Sequence, residues 1–324
     1  MKIAITGATG YTGSVVVPLL LAEGHTLRAL TRRPRPVQEG IDWVPGELLQ
    51  SDSLAMLVAG ADAVIHLAAV ISVDERNGED TYRVNTEGTR LLLAAAKDAG
   101  VRRFVHVSSV TAFNQAPYDE RMDETRGAAA TERRHYDSSK AASQAMALAA
   151  NGAGFEVIAL APTAITGPYD RLPSLLGRAV INIYKERIPA LFPGGVDFVD
   201  VRDVAAAIVS SLYRGCPGSV YLLGGQWVSL QGLCAEVGKV KRKKISLAVM
   251  PLWLVLGMLP PVRLWAAITG GAPYYTRLSV NNLIHSNRHI DHSRAQAELN
   301  FTPRPFADTV RDMIMWFRQN GFLK

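Results

Sequence analysis

The chain has 324 residues and a mass of 35.1 kDa, which predicts one large domain or one domain with an additional lobe. Hydrophobic residues make up 48% and charged residues 20%, a balance that supports a full core and excludes a disordered, collagen-like or coiled-coil chain. The net charge of +6 favours anionic small ligands, because no basic stripe interleaved with aromatic residues indicates nucleic acid.

Cysteine is scarce, with one residue at Cys216 and one at Cys234. Two cysteines cannot build a disulfide framework or a four-cysteine zinc site, so we expect a cytoplasmic protein without a metal. The amino terminus carries no signal-peptide pattern, and we expect it to enter the fold at once.

Short apolar runs rich in Val and Ile alternate with helical patterns through the first half of the chain, which predicts successive β-α-β units and a parallel sheet buried on both faces. The predicted strands are Lys2–Thr6, Thr26–Leu30, Asp42–Val44, Ala63–Leu67, Phe104–Ser108 and Glu156–Leu160. The predicted helices between them are Ser14–Ala22, Ser53–Val58, Thr81–Ala99 and Arg133–Ala150.

After Pro162 the pattern loosens into pieces punctuated by proline and glycine, which predicts a lobe. A helix over Asp200–Tyr213 and a strand over Val220–Leu223 return the chain to the sheet, and a helix over about Pro305–Gln319 closes the fold. We therefore predict a nucleotide-binding domain and a smaller interleaved substrate-binding lobe, the domain comprising residues 1–162 plus about 197–225 and the lobe about 163–196 plus 226–324.

One uncharged stretch of eighteen residues, 245–262, follows the basic run 241–244 and raises the question of membrane contact. Three prolines, Pro251, Pro260 and Pro261, would interrupt a spanning helix. We interpret the stretch as an apolar wall of the lobe, with contact to an anionic membrane as the alternative.

The segment TGATGYTG, residues 6–13, stands between the first strand and the first helix. Gly7 permits a tight turn, Gly10 lets the backbone approach a pyrophosphate, and Gly13 lets helix and strand pack closely. A merely glycine-rich turn is the alternative. The motif predicts a Rossmann-type, doubly wound α/β fold in which the cofactor is contacted by Gly7, Thr9, Gly10, Tyr11 and Thr12.

The second strand is followed by Arg32, where a dinucleotide fold reads the adenosine ribose. An acidic residue there selects NAD, whereas an arginine clamps a 2′-phosphate, so we expect NADP(H), with NAD(H) as the alternative. Arg33 and Arg35 either assist or are solvated. We expect the adenine and ribose side to be lined by Glu47, Leu48, Leu67, Ala68 and Ala69.

Tyr136 and Lys140 are four residues apart on a predicted helix, so their side chains share one face. A tyrosine with its ordinary pKa of about 10 is a weak acid-base group at neutral pH, but a nearby ammonium favours the phenolate. Ser108 and Ser109 end the fifth strand, at the edge where open α/β sheets place ligands, and Thr111 is a third hydroxyl there. We expect Ser109 to hold a carbonyl oxygen. Neighbouring side chains of a strand point to opposite faces, but this alternation does not decide whether Ser108 or Ser109 faces the ligand.

Together these motifs resemble the extended branch of the short-chain dehydrogenase/reductase superfamily, which includes NAD(P)-dependent epimerases and dehydratases, dihydroflavonol reductases and 3β-hydroxysteroid dehydrogenases. The resemblance covers nearly the whole chain and also rests on DAVIHLAA at 62–69, VNTEGT at 84–89, FVHVSS at 104–109 and FVDVRDVA at 198–205.

The resemblance implies that Ser109 is a catalytic serine and Tyr136 the general acid/base. Lys140 would lower the pKa of that tyrosine and hold the nicotinamide ribose. Asn85 would lie near the cofactor, for which buried hydrogen bonding is an equal interpretation. The segment after the sixth strand is expected to contribute Pro162, Thr163 and Ile165 to cofactor binding.

Two positions depart from the family pattern, because Ala161 stands where many relatives have arginine and Gln144 where they have glutamate. The missing arginine weakens the case for a nucleotide-sugar site, since it leaves less to bind a diphosphate. We interpret Asp197, Asp200 and Asp203 as capping and lobe-anchoring groups rather than as metal ligands.

We therefore expect an NADPH-dependent oxidoreductase that transfers hydride to a ketone or aldehyde of a small apolar or aromatic molecule, in either direction. Dihydroflavonol-like, steroid-like and isoprenoid-like carbonyl compounds fit equally. A nucleotide-sugar epimerase or dehydratase and a non-catalytic NADP(H)-binding sensor are the alternatives. The resemblance also implies a homodimer formed through the helices Thr81–Ala99 and Arg133–Ala150.

Overall fold

The computed structural model describes residues 1–71, 78–129, 135–258 and 277–324. Its strands are β1 (Lys2–Thr6), β2 (Thr26–Thr31), β3 (Ile41–Pro45), β4 (Ala63–His66), β5 (Arg103–Val107), β6 (Glu156–Pro162), β7 (Ala164–Thr166), β8 (Gly195–Asp200), β9 (Ser219–Leu223) and β10 (Gln226–Ser229). Seven of them form one parallel sheet in the order β3-β2-β1-β4-β5-β6-β9. The strand order reverses between β1 and β4, which creates a crevice at their carboxyl ends.

The six strands predicted in the first half are confirmed, with ends that differ by one or two residues. Both faces of the sheet are covered, and β4 and β5 are buried over their whole length. Such strands read as continuous apolar runs, because neither face meets water.

Helices cover both faces of the sheet, so the predicted doubly wound α/β fold is confirmed. The helices are α1 (Gly13–Ala22), α2 (Ser51–Val58), α3 (Gly78–Asp98), α4 (His135–Ala149), α5 (Leu175–Tyr184), α6 (Val201–Ser210), α7 (Leu230–Lys241), α8 (residues 252–258), α9 (Arg277–Ile284), α10 (Ser293–Leu299) and α11 (Phe306–Gln319). Ile3 and Ile5 of β1 pack in the layer of α1 and α6, whereas Ala4 packs in the layer of α2, α3 and α4. Alternation along the strand thus divides the core into two layers.

A second, three-stranded sheet was not predicted from the sequence. In it β8 pairs in parallel with β7 and antiparallel with β10. A separate apolar cluster that includes Phe192, Val237 and Phe317 packs around this sheet. We retain the division into a nucleotide-binding domain and an interleaved lobe as a proposal; its border at residue 197 falls inside β8.

Several expected elements differ at their ends. The helix predicted over Asp200–Tyr213 is observed as α6, and the strand predicted over Val220–Leu223 begins one residue earlier, as β9. Residues 133 and 134, which begin the helix predicted over Arg133–Ala150, lie outside the described residues.

The uncharged stretch after the basic run contains Pro251, directly before α8. None of the helices in the described ranges has both the length and the apolar character needed to cross a membrane. Residues 259–262 of the predicted stretch lie outside those ranges.

Candidate functional site

The glycine motif forms a tight loop between β1 and α1. Gly7 has a φ of +76°, and a Cβ there would lie 2.8 Å from the amide nitrogen of Ala68. A Cβ on Gly13 would lie 2.3 Å from the carbonyl oxygen of Gly7 and 2.6 Å from that of Ala8. Gly13 is therefore required by close approach to the loop's own backbone, rather than by the helix–strand packing that we predicted.

The loop leaves backbone donors open at the start of α1. Gly10 donates its N–H to the carbonyl oxygen of Gly7 at 3.0 Å, whereas the described residues give the N–H groups of Tyr11 and Thr12 no acceptor. Open N–H groups at a helix N-terminus bind anionic oxygens, and the helix dipole adds to this. The loop thus fits the pyrophosphate of a dinucleotide.

Besides the open N–H of Tyr11, its side chain makes a hydrogen bond that the sequence did not indicate. Its hydroxyl donates to the carbonyl oxygen of Gly167 at 2.8 Å, just beyond β7. Burial and the charges of Asp170 and Asp200 raise the pKa of Tyr11 above its usual range, so the phenol stays a donor. This bond ties the glycine loop to the small sheet.

The predicted adenine side lies at the carboxyl ends of β2, β3 and β4. Arg32 and Glu47 are exposed, so both are accessible to a ligand. Leu48 packs beside α3, where its Cβ lies 3.1 Å from the position of a Cβ on Gly88. Half-buried residues Leu67, Ala68 and Ala69 follow β4, and Ala68 donates its N–H to the Thr6 hydroxyl at 3.3 Å.

Asn85 is buried on α3, and its side chain makes three hydrogen bonds. Its Oδ1 accepts from the N–H of Val70 at 2.8 Å, and its Nδ2 donates to the carbonyl oxygen of Val70 at 3.1 Å and to Ser139 Oγ at 3.0 Å. Asn85 therefore fixes the segment after β4 to α3 and α4, and acts on any ligand there through that segment.

A histidine network lies beneath this segment. Thr89 donates its hydroxyl proton to the carbonyl oxygen of Asn85, so its oxygen accepts from His66 Nε2, and His66 Nδ1 accepts from Thr6. This arrangement requires a neutral imidazole. Burial, with a smaller effect of the Lys140 charge, lowers the pKa of His66 to about 3.

Ser109 and Tyr136 meet at the carboxyl end of β5. The Ser109 side chain lies near enough to the Tyr136 hydroxyl to lower its pKa, and its Oγ accepts from Thr111 Oγ1 at 3.0 Å. Ser108 is buried, and its Oγ has no partner among the described residues. Of the two serines that alternation left open, Ser109 is the one beside Tyr136.

The electrostatics of this pair differ from our expectation. Burial and the charge of Asp137 raise the pKa of Tyr136 to about 12, against a smaller lowering by the hydrogen bond to Ser109. Lys140 is not among these causes, and its Nζ donates to the carbonyl oxygen of Val107 at 2.8 Å. Burial lowers the pKa of Lys140 itself to about 8, so the ammonium predominates at neutral pH.

The segment after β6 completes this edge of the crevice. Pro162 and Thr163 are buried, and Thr163 donates its N–H to the carbonyl oxygen of Leu223 at 3.2 Å. The Thr163 hydroxyl donates to the same carbonyl oxygen at 3.4 Å. The carboxyl of Asp197 accepts from the N–H of Gly225 at 2.7 Å. Ile165, in β7, packs against the core around β1.

The other two aspartates also hold structure together. Asp200 accepts from the N–H of Arg202 at 2.8 Å and caps α6, and its carboxylate pairs with the Arg202 guanidinium. Asp203 pairs with Arg304 at 2.6 Å. These contacts are the capping and anchoring roles that we predicted for them.

Sequence reasoning missed a set of buried polar atoms behind the site. His106 in β5 has no partner for either ring nitrogen among the described residues, and neither has Gln144 Oε1. The ring of His106 lies 5.4 Å from that of His66. A histidine within a strand that is apolar on both sides was the available signal, because such a group has few ways to be satisfied.

The chain is similar to known proteins. Residues 3–224 match the family model described as "NAD dependent epimerase/dehydratase family". The "Putative dihydroflavonol 4-reductase" of Synechocystis sp. is 31% identical over 329 residues, covering 99% of this chain and 95% of the relative. "Sterol demethylase protein B" of Methylococcus capsulatus is 29% identical, with both chains covered completely. The crystal structure of gox2253 is 29% identical, with a TM-score of 0.82 over 100% of this chain and 99% of that chain.

Proposed function

Since the chain belongs to the NAD-dependent epimerase/dehydratase family, whose members are NAD(P)-dependent oxidoreductases, epimerases and dehydratases, we propose that it is an NADPH-dependent reductase of a ketone or aldehyde. The observation that carries the proposal is the proximity of the Ser109 side chain to the Tyr136 hydroxyl, at the edge of the sheet where the glycine loop opens.

The cofactor would be held along the carboxyl edge of the sheet. Gly7, Thr9, Gly10, Tyr11 and Thr12 would hold the pyrophosphate, and Arg32 a 2′-phosphate. Lys140 would bond the nicotinamide ribose. The remaining contacts would come from Glu47, Leu48, Leu67, Ala68, Ala69, Asn85, Pro162, Thr163 and Ile165. When bound, NADPH supplies the hydride.

Tyr136 acts as the acid in this proposal. With a pKa of about 12 its hydroxyl stays protonated at neutral pH, so it can donate a proton to a developing alkoxide. Ser109 orients the substrate oxygen by a second hydrogen bond.

An apolar or aromatic substrate fits the chain better than a nucleotide sugar. Ala161 offers no charge to a diphosphate, and the small-sheet lobe is built on an apolar cluster. Two relatives carry names that refer to a dihydroflavonol and a sterol, both largely apolar ring systems.

The test begins with titration of the purified chain with NADPH and NADH, followed by a panel of aromatic, steroid and isoprenoid carbonyl compounds. Loss of nicotinamide absorbance reports turnover. We expect tighter binding of NADPH and reduction of at least one class.

Variants then assign the roles. Tyr136→Phe should reduce turnover about 10²- to 10⁴-fold with cofactor affinity retained. Ser109→Ala should reduce it about 10²-fold, whereas the matched control Ser108→Ala should retain it. Unchanged output from Tyr136→Phe would support a cofactor-binding sensor, and stoichiometric NAD that does not exchange would support an epimerase or dehydratase.

A further inference from the structure

The surface around α8 is unusually apolar for a helix at the edge of a lobe. Val249, Trp253, Leu256 and Met258 are exposed by 41%, 73%, 41% and 44%, and we call these four side chains the apolar rim. They supply four of the sixteen large hydrophobic side chains that are exposed among the described residues, within ten positions. A second group is formed by Tyr169, Leu172 and Leu175, and the remaining exposed side chains of this kind are more scattered, which is ordinary for a protein surface.

The outward face of α8 is apolar although its inward face already packs on the lobe. Val255 is 5% exposed and belongs to the apolar cluster around the small sheet. Trp253 and Leu256, three residues apart, lie on the opposite, exposed face. A helix at a water-facing surface normally carries polar residues there, so the rim calls for an apolar environment that the described residues of the lobe do not supply.

A positive charge cluster adjoins the rim. Its exposed or half-buried members, which we call the basic cluster, are Lys185, Arg187, Lys241, Arg242, Lys243 and Lys244. Glu186 is the acidic side chain among them and pairs with Lys243 at 2.7 Å, which leaves five net positive charges.

The chain segment 186–191 joins the cluster to the rim. At one end Glu186 binds Lys243, and at the other Leu191 pairs with the strand-like segment around Val249, accepting from the N–H of Met250 at 2.8 Å. Five residues span at most about 18 Å. The charges and the apolar side chains therefore lie in one region of the lobe, which we call its edge.

We propose that this edge binds the surface of an anionic lipid bilayer, with the rim in the boundary between headgroups and acyl chains and the basic cluster on lipid phosphates. We place residues 252–258 on the bilayer surface, because no helix among the described residues is long and apolar enough to cross a bilayer. Tryptophan is enriched at this boundary, and basic side chains add attraction to anionic headgroups.

Other occupants fit the two features less well. A second copy of the chain, meeting this one face to face, would bring five net positive charges against five. A nucleic acid would satisfy the charges and leave Trp253, Leu256 and Met258 in water. The proposal does not depend on the reaction that the crevice catalyses.

The experiment is flotation of the full chain with vesicles of phosphatidylcholine alone or mixed with phosphatidylglycerol. We expect binding to the mixed vesicles, released by added salt, and little binding to the neutral ones. Brominated phosphatidylcholine in the mixed vesicles should quench the protein's tryptophan fluorescence, and Trp253→Phe should remove most of that quenching.

Two variants separate the parts of the edge. Trp253→Ser with Leu256→Ser should weaken binding at least tenfold, and Arg242→Gln with Lys244→Gln about fivefold for each charge removed. The matched control is Leu172→Ser with Leu175→Ser, because these leucines are 90% and 49% exposed at another place. Each variant is first shown to keep the far-ultraviolet circular dichroism of the parent chain.

The proposal would be overturned by no binding to mixed vesicles, by equal loss in the leucine control, or by quenching that survives Trp253→Phe. Binding of duplex DNA at the same salt with equal affinity would overturn it too, as would concentration-dependent self-association that the rim variant abolishes.

Discussion

Lys140 donates from its buried Nζ to the carbonyl oxygen of Val107 at 2.8 Å, which fixes the helix that carries Tyr136 to the carboxyl end of β5. The bond neutralises no charge, so the ammonium is held in a site of low dielectric at the predicted ribose position. Its proton should control how the free protein binds an anionic cofactor.

We predict a single ionisation at about pH 8 in kcat/KM for NADPH. Burial lowers the pKa of Lys140 to about 8, so its charge is lost as the pH rises through that value, whereas Tyr136, at about 12, stays protonated. A stopped-flow or steady-state profile checks this. Lys140→Met should give a low and flat profile; a wild-type profile that is flat through about pH 9.5 would refute the assignment.

Gly13→Ala should disrupt the glycine loop. The new Cβ would lie 2.3 Å from the Gly7 carbonyl oxygen, and such overpacking costs about 1–3 kcal/mol of unfolding free energy. Cofactor affinity, measured by fluorescence titration, should fall at least tenfold, or about 1.4 kcal/mol. Gly152→Ala is the control, because no atom lies within 4 Å of its Cβ position; an equal loss there would contradict the argument.

Arg32→Asp should exchange the cofactor preference. Loss of charge-assisted bonds to a 2′-phosphate costs about 1.5–3 kcal/mol, so NADPH affinity should fall roughly 10- to 100-fold while NADH affinity is retained. The control is Arg102→Asp, which makes the same charge change on an exposed residue directly before β5, at the amino ends of the strands. If both variants weaken NADPH equally, the effect is one of overall charge.

His106→Phe should make the protein more tolerant of acid. Burial lowers the pKa of His106 well below its ordinary value, so the unfolded chain binds a proton below about pH 6.5 that the folded chain does not. Stability is therefore complete above that pH and is lost as the pH falls. At low pH the unfolded chain binds more protons than the folded chain, so a falling pH lowers the unfolding free energy.

Urea unfolding measures the effect. At about pH 5 the variant should gain about 2 kcal/mol more than at about pH 7.5, relative to the parent chain. It also removes two buried nitrogens that have no partner among the described residues. Exposed His289→Gln is the control, and a gain that does not depend on pH would exclude His106 as the group that titrates.

Asp200→Ala should destabilise the fold by at least about 2 kcal/mol, because a helix cap and charged hydrogen bonds are lost together. Its carboxylate is fully buried against Arg202 and caps α6. The comparison is Asp308→Ala, an exposed partner of Arg311, which should change the unfolding free energy by about 0.5 kcal/mol or less. Equal losses would mean that burial of the pair contributes nothing.

The central sheet was predictable because its strands lack a water-facing side. The run AVIH of β4 and the run RFVHV of β5 are buried at every position, and that burial appears in the sequence as apolar runs interrupted only by His66, Arg103 and His106. The small sheet offered no such signal. In β8 two aspartates interrupt the apolar run, since their carboxylates are satisfied by a turn and a helix cap, and β10 is half-buried or exposed throughout.

The site was predictable in its components and not in its electrostatics. Spacing and strand position indicated Tyr136, Lys140 and the serine pair, but alternation alone could not decide between Ser108 and Ser109. The pKa of Tyr136 depends on burial and on its neighbour Asp137. The direction in which the Lys140 ammonium points depends on the carbonyl oxygen of Val107, which lies near it only once the helix is packed against β5. Such effects arise from tertiary packing, which a sequence pattern does not encode.

β8 continues into α6 without a loop, and Asp200 is both the last residue of the strand and the cap of the helix. Within the same strand Asp197 accepts from the N–H of Gly225 at 2.7 Å. A hinge needs a few residues whose torsion angles are free to change, and the passage from β8 to α6 has no loop residue of that kind. This connection therefore holds the strand and the helix at a fixed angle.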